Sequence, residues 1–353
     1  MTYSTFQVFC LVIGAVIYYR TKGAGGSLKC VPPSHLRNGA AVKILVPDTI
    51  KLDLSALEDE TFVYQVDKPI PSEHRDAEVL VVWRNTSENL ADAAKEMRQL
   101  RLVQTLAAGP DSVLAAGFGD NVAITSGRSL HDGPVAEHAL ALILAAVRRM
   151  DQLMESQKGS TWNQPYNAAQ SAPDTEQLYT LDGANVTVWG FGSIAGRLAP
   201  LLDALGANVT GVASSKGERY GFPVVADDEF PDVLRTTDVL VSILPATPET
   251  ADALNEDILK ALPNAAIFVN VGRGATVDEN ALLAALEEGR LRAAALDVTK
   301  EEPLPADSKL WGAPNLIITP HVAGNRPKGA AKLVLANITA LKEGSALTNQ
   351  VAG

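Results

Sequence analysis

The sequence predicts an α/β protein made of two doubly wound parallel-sheet domains with a cleft between them. Two observations carry that prediction. Short β-branched runs alternate with helical segments in two separate series, and such alternation builds parallel sheets covered on both faces. A long apolar helix, from about Val135 to Glu155, stands between the two series and is long enough to carry the chain from one sheet to the other.

In the first series, Val42–Val46, Thr61–Val66, Glu78–Trp83, Leu102–Leu106 and Val122–Thr125 read as buried strands. Residues 156–180 are polar, rich in Gln, Asn and Ser, and show no clear period. The second series reads Asn185–Trp189, Asn208–Ala213, Asp238–Leu244, Ala266–Val271, Ala293–Val298 and Leu316–Thr319. Six strands are the number in a complete dinucleotide-binding fold. A last helix, from about Pro327 to Lys342, could return to the first sheet.

Composition bounds the function. At roughly 100–200 residues per domain, 353 residues suggest two domains. Apolar residues at 46% and charged residues at 20% exclude a chain disordered through most of its length. The net charge of −11 argues against non-specific nucleic-acid binding. Two cysteines, Cys10 and Cys30, make neither a disulfide framework nor a Cys-rich zinc site, and no metal is expected.

Residues 1–41 differ from the rest. They hold Arg20, Lys22, Lys29 and Arg37 and no acidic residue. Phe6 to Tyr19 is an apolar run of 14 residues, which as a helix would span roughly 21 Å against a hydrocarbon core of ~30 Å. Three readings are open. One is a short membrane anchor over residues 6–19, and the second is an extension outside the fold. The third is a protein that really starts near Val42. The composition favours the last two, and with them a cytoplasmic protein.

The strand Asn185–Trp189 runs into Gly190-Phe191-Gly192-Ser193-Ile194-Ala195, which is G-x-G-x-x-A opening a helix. Gly190 permits the tight turn, Gly192 lets backbone approach a pyrophosphate, and Ala195 allows close helix–strand packing. The helix N-terminus then faces the phosphate charge. A Gly-rich turn without a ligand is the alternative, and the strand–turn–helix context argues against it. NAD enzymes place an acidic residue at the end of the next strand. Here no residue from Val209 to Ser215 is acidic, and Ser214, Ser215, Lys216 and Arg219 follow Ala213. Hydroxyls and cations suit a 2′-phosphate, so the expected cofactor is NADP or NAD, with NADP favoured.

Four further segments complete the pattern: Leu244-Pro245-Ala-Thr247-Pro248-Glu249-Thr250; Phe268-Val-Asn-Val271-Gly272-Arg273-Gly274; Leu296-Asp297-Val298 with Glu302-Pro303; and Thr319-Pro320-His321-Val-Ala-Gly324. In this order and spacing the chain closely resembles the D-isomer-specific 2-hydroxyacid dehydrogenases over essentially residues 42–353. The resemblance implies roles. Arg273 would bind the substrate carboxylate and the reacting oxygen, His321 would be the general acid/base, and Glu302 its carboxylate partner. Asp297 would lie near the nicotinamide carboxamide. Ala108-Gly109 would hold the carboxylate through backbone, with Arg84 as a further substrate contact. Cofactor contacts are expected from Gly190, Phe191, Gly192, Ser193, Ile194, Ser214, Ser215, Lys216, Leu244, Pro245, Val271, Gly272, Arg273 and Asp297.

The chemistry wants these residue types. Reduction of a 2-keto acid moves a hydride to carbon and a proton to oxygen, and histidine can hold that proton near neutral pH. A guanidinium grips a planar carboxylate in bidentate fashion and stabilises charge developing on the oxygen. His138, on the long apolar helix, reads as structural, and His131 and His74 have no motif around them.

The resemblance further implies a discontinuous substrate domain, 42–132 plus 322–353, and a Rossmann nucleotide-binding domain, 133–321. It also implies a homodimer built largely on the long helix and the polar segment after it. No appended regulatory domain is expected. Thr299 replaces the usual aromatic after Asp-Val, Pro110 replaces a small aliphatic, and Ser126–Asp132 replaces an Asn/Pro/Gly-rich stretch. These departures leave the reaction class intact and the substrate open among glyoxylate, hydroxypyruvate, phenylpyruvate-like acids and 3-phosphohydroxypyruvate. Two competitors remain. A formate dehydrogenase would carry glutamine in place of Glu302. A nucleotide-sensing, corepressor-like binding protein could keep the same motifs.

Overall fold

The computed structural model describes residues 41–353 apart from 173, 174 and 176. It also describes two short strands, β1 (Leu11–Val12) and β2 (Ile17–Tyr18), paired antiparallel. The rest of the leader, and with it the anchor and extension readings of residues 6–19, lies outside the described residues.

Five further strands precede the long helix: β3 (Lys43–Pro47), β4 (Glu60–Tyr64), β5 (Val79–Val82), β6 (Leu102–Thr105) and β7 (Ala123–Thr125). After it come β8 (Asn185–Trp189), β9 (Asn208–Val212), β10 (Gly217–Arg219), β11 (Phe222–Val225), β12 (Val239–Ser242), β13 (Ala266–Asn270), β14 (Leu291–Leu296) and β15 (Leu316–Ile318). The last is β16 (Gln350–Ala352).

The first sheet has the order β16-β7-β6-β5-β3-β4 and is parallel except for β16. Its strands alternate between two cores. Leu45, Leu80 and Val82 face the helix Ser87–Glu96, while Ile44, Val46, Val79 and Val81 face the helix Ala330–Glu343. That is the period of two expected of a pleated strand buried on both sides. The second helix is tied down by Asn337, fully buried, whose Nδ2 donates to Gln104 Oε1 at 2.6 Å and whose Oδ1 accepts from Thr348 N at 2.8 Å.

The second sheet has the order β10-β11-β9-β8-β12-β13-β14-β15. The run from β11 to β14 is the doubly wound order 3-2-1-4-5-6, which reverses between β8 and β12. Six strands were expected here and eight are present. β11 carries Pro223, which argues against a strand in a sequence, and it is tolerated because it lies ahead of the Val224–Gly211 and Val225–Val212 pairs with β9. The hairpin β10–β11 carries Arg219, and Lys216 directly precedes it.

The long helix also departs from expectation. It spans Asp132–Val147 and then breaks, and a second helix runs Met150–Lys158. Arg149 at the break has φ +50, a left-handed conformation unusual for a non-glycine residue. Its guanidinium is held by Asp151 at 2.8 and 3.1 Å and by Asn315 at 2.6 Å, and these bonds offset the backbone cost. The segment read as aperiodic contains the helix Gln164–Gln170, capped by Asn163, whose Oδ1 accepts from Tyr166 N at 3.0 Å.

Candidate active site

Two adjoining clefts lie at the C-terminal ends of the two sheets, where open α/β sheets bind ligands. One, of about 890 Å³, is lined by Gly190, Phe191, Gly192, Ser193, Ile194, Ala213, Ser214, Arg219, Leu244 and Pro245. The other, of about 560 Å³, lies between the sheets and is lined by Arg84, Ala108, Gly109, Val271, Arg273, Asp297 and His321. Ile194 lines both.

The first cleft fits a dinucleotide. Gly190 has φ +96, and a Cβ there would lie 2.7 Å from the Ile243 carbonyl oxygen, so only glycine makes the turn. Gly192 is the N-cap of the helix Ser193–Asp203 and offers no side-chain cap, so the first N–H groups of that helix remain for a phosphate. Of the residues expected at the 2′ position, Ser214 lines the cleft. Ser215 sits behind it, its Oγ accepting from Arg219 Nη2 at 2.7 Å. Lys216 is not brought in: it faces Glu229 at 3.7 Å and is largely exposed. Of the two cations expected there, Arg219 lines the wall, its Nη1 donating to the Phe191 carbonyl at 3.3 Å.

In the second cleft His321 Nδ1 is 2.6 Å from Glu302 Oε2. Glu302 does not line this cleft; it meets the ring from behind. The His321 backbone has φ +50, and its N–H donates to the Asp297 carbonyl at 2.8 Å. Asp297 is buried and accepts from Thr319 Oγ1 at 2.6 Å and from Val322 N and Ala323 N at 3.0 Å. Its carboxylate therefore holds the turn that presents His321. His138 belongs to the same network, 3.0 Å from Thr319 Oγ1 and 3.3 Å from Asp297 Oδ1.

Arg273 follows β13 and is fixed through its carbonyl, which accepts from Asn270 Nδ2 at 3.1 Å and Thr276 Oγ1 at 2.7 Å. Gly272 lies behind it, too close to Leu244 for any side chain. From the first sheet, Gly109 approaches so near that a Cβ would collide with the Arg273 guanidinium. Asp111 Oδ2 stands 3.8 Å from Arg273 Nη2. Arg84, at φ +61, is aimed from the end of β5.

Several lining residues carry no sequence signal. His131 is buried on the substrate wall, stacked on Trp83 at 5.4 Å with its Nε2 2.7 Å from the Leu106 carbonyl. Asn85, Ser112 and Asn325 complete that wall, and Arg128 and Asp227 line the nucleotide cleft. Among the described residues no cluster of His, Cys, Asp and Glu could hold a metal ion, and no helix is long and apolar enough to cross a membrane.

A doubly wound nucleotide-binding sheet joined to a cleft holding Arg273, His321 and, behind it, Glu302 defines a nicotinamide-dependent dehydrogenase. Comparison with known proteins agrees. A sequence model described as D-isomer specific 2-hydroxyacid dehydrogenase, NAD binding domain, matches residues 140–323. The chain is 32% identical over 290 residues to glyoxylate/hydroxypyruvate reductase A of Citrobacter koseri, covering 80% of this chain and 88% of that protein. It superposes on a D-isomer specific 2-hydroxyacid dehydrogenase family protein of Aeromonas salmonicida with a TM-score of 0.74 and 28% identity, covering 88% of this chain and 98% of that one. The NADPH-dependent glyoxylate/hydroxypyruvate reductase of Sinorhizobium meliloti, solved with NADP and sulfate, gives 0.72 and 25% over the same shares. The chain belongs to the D-isomer specific 2-hydroxyacid dehydrogenase family. It is an NAD(P)-dependent oxidoreductase acting on 2-keto and 2-hydroxy acids.

Proposed function

We propose that the chain reduces glyoxylate and hydroxypyruvate to the corresponding 2-hydroxy acids, with NADPH preferred to NADH. The observation that carries this is the His321–Glu302 pair at 2.6 Å, with His321 opening on the cleft that also holds Arg273 and Gly109. A bound nicotinamide supplies the hydride. Arg273 grips the substrate carboxylate and faces the keto oxygen, and the Ala108–Gly109 backbone closes the other side. His321, oriented through Nδ1 by Glu302, gives its Nε2 proton to that oxygen as carbon accepts the hydride. The product is the hydroxy acid, and His321 regains its proton from solvent. Asp297 keeps the His321 turn in register with the cleft.

The substrate pair is supported by the names of the relatives. The NADP preference is supported by Ser214 and Arg219 beside a strand end without a carboxylate. The same reading divides the molecule into a substrate domain, 42–132 plus 322–353, and a nucleotide domain, 133–321. It includes a homodimer, for which exposed Met150, Met154 and Trp162 on one stretch provide an apolar surface. It also includes a cytoplasmic setting. Initial rates on glyoxylate, hydroxypyruvate, phenylpyruvate and 3-phosphohydroxypyruvate, each with NADPH and NADH, test it. A higher kcat/KM for either of the last two acids would reject the substrate assignment.

A further inference from the structure

Arg84 stands on strained backbone. Its φ of +61 lies in the left-handed region, where a side chain crowds the following carbonyl. Such a conformation persists only where the surroundings over-determine it. Here they do so from both sides. The Trp83 N–H donates to Asn85 Oδ1 at 2.9 Å, and Thr49 Oγ1 donates to the Trp83 carbonyl at 2.7 Å. Beyond Arg84, the Thr86 N–H donates to the Val66 carbonyl at 3.1 Å.

This bracket depends on which way the Asn85 amide faces, and two backbone carbonyls decide that. Tyr64, the last residue of β4, is 2% exposed and reaches past β3 to β5, where its hydroxyl donates to the Val81 carbonyl at 2.8 Å. A hydroxyl has one hydrogen, so its oxygen can only accept elsewhere, and it accepts from Asn85 Nδ2 at 2.7 Å. Asn89 Nδ2 donates to the Lys68 carbonyl, which leaves Asn89 Oδ1 to accept from the same Asn85 Nδ2 at 2.6 Å. Both amide hydrogens of Asn85 are thereby committed, and its Oδ1 is left for the Trp83 N–H. Burial pushes the Tyr64 phenol above its ordinary range, so the hydroxyl stays a donor. Trp83, Arg84 and Asn85 line the substrate cleft, and Tyr64 stands outside it.

We propose that Tyr64 is a positioning residue for the substrate cleft: through the Asn85 amide it fixes the Trp83–Arg84 backbone and so aims the Arg84 guanidinium at the anionic substrate. This rests on the reading of Arg84 as a substrate contact. Loss of the hydroxyl strands the Val81 carbonyl and frees one Asn85 hydrogen. The amide can then turn, the Trp83 N–H loses its acceptor, and Arg84 relaxes to an ordinary φ with its guanidinium displaced.

The test compares wild type, Tyr64→Phe, Arg84→Met and the double variant. Each is assayed on the keto acid that it reduces fastest, and oxamate, a keto-acid analogue, is titrated into each NADPH complex by cofactor fluorescence. Tyr64→Phe should raise KM and the oxamate Kd by roughly threefold to tenfold. Its kcat and NADPH affinity should stay near wild type, because His321, Glu302 and the nucleotide cleft are untouched. Arg84→Met should raise both constants at least as much, and the double variant should match Arg84→Met alone. A merely structural role would lower Tm without separating KM from kcat, and its effect would persist in the Arg84→Met background. Wild-type oxamate affinity in Tyr64→Phe beside a weakened Arg84→Met overturns the positioning role and leaves Arg84 as a substrate contact. Losses that add in the double variant overturn it as well. Wild-type affinity in Arg84→Met removes the reading of Arg84 and the proposal together. Asn85→Ala breaks the same bracket and is read in the same way if Tyr64→Phe folds poorly; unchanged oxamate affinity in it counts equally against the proposal.

Discussion

Glu302 is held at both of its oxygens: Oε2 meets His321 Nδ1 at 2.6 Å, and Oε1 accepts from the Thr299 N–H at 3.1 Å. The carboxylate cannot swing away without losing a backbone bond. It therefore fixes the ring plane of His321 and leaves Nε2 as the nitrogen available to a substrate. Replacing His321 by alanine should lower kcat by roughly 10²–10⁴-fold. NADPH affinity, read by fluorescence titration, should be unchanged, because the proposed reading puts the phosphates at the Gly190–Ser193 turn. Turnover close to wild type in that variant would remove His321 from the mechanism.

Glu302→Gln should lower kcat with little change in KM, since the glutamine keeps the size of the side chain and loses its charge. The double variant His321→Ala/Glu302→Gln should be no slower than His321→Ala alone, because Glu302 acts only through the ring. Additive losses in steady-state kinetics would mean that Glu302 has a separate role.

Arg273→Lys should raise KM for the keto acid and lower kcat together, because an ammonium cannot replace the fork that, in the proposed mechanism, holds carboxylate and reacting oxygen at once. A lysine variant with wild-type kcat/KM would place substrate binding elsewhere in the cleft.

Arg219→Ala should reduce kcat/KM for NADPH and leave that for NADH nearly unchanged, since Arg219 lines the nucleotide cleft beside Ser214. Lys216→Ala should do little, because Lys216 faces Glu229. Ala213→Asp should reverse the preference, giving ribose hydroxyls an acceptor and a 2′-phosphate a like charge. Kinetics with both cofactors check all three variants.

Burial holds the His131 imidazole below its ordinary value of 6.5, with its bond to the Leu106 carbonyl opposing this in part. The folded protein thus keeps His131 neutral while the unfolded chain takes up a proton as pH falls through 6.5. Stability is full above that value and declines below it, down to the folded pKa. His131→Gln should lessen the fall in Tm between pH 8 and about 5.5. An equal fall in variant and wild type would assign the acid sensitivity to other groups.

The strands were legible where both faces are buried. Val79–Val82 and Ala266–Val269 are continuous apolar runs and could be little else. β11 was hidden by Pro223, and the break at Arg149 by the absence of any glycine or proline, since a local bond to Asp151 and a tertiary one to Asn315 set it. Arg273, Asp297, Glu302 and His321 lie in contiguous motifs, so their positions were legible. Trp83, Asn85 and His131 reach the cleft only because the fold joins the end of β5 to the start of the Asp132–Val147 helix. Lys216 and Arg219 are three residues apart, and only the β10–β11 hairpin decides which one turns inward.

The helix Ala330–Glu343 and the strand β16 bear on how the molecule is made. Strands β8 to β15 are all in hand once residue 318 has been synthesised, so the nucleotide sheet can close while the chain is still growing. Among the described residues, the face formed by Ile44, Val46, Val79 and Val81 lacks its covering helix until residues 330–343 leave the ribosome. Translation therefore runs opposite to maturation. The half that is made first is finished last, and during that interval its open apolar surface is the part of the nascent chain most in need of a chaperone.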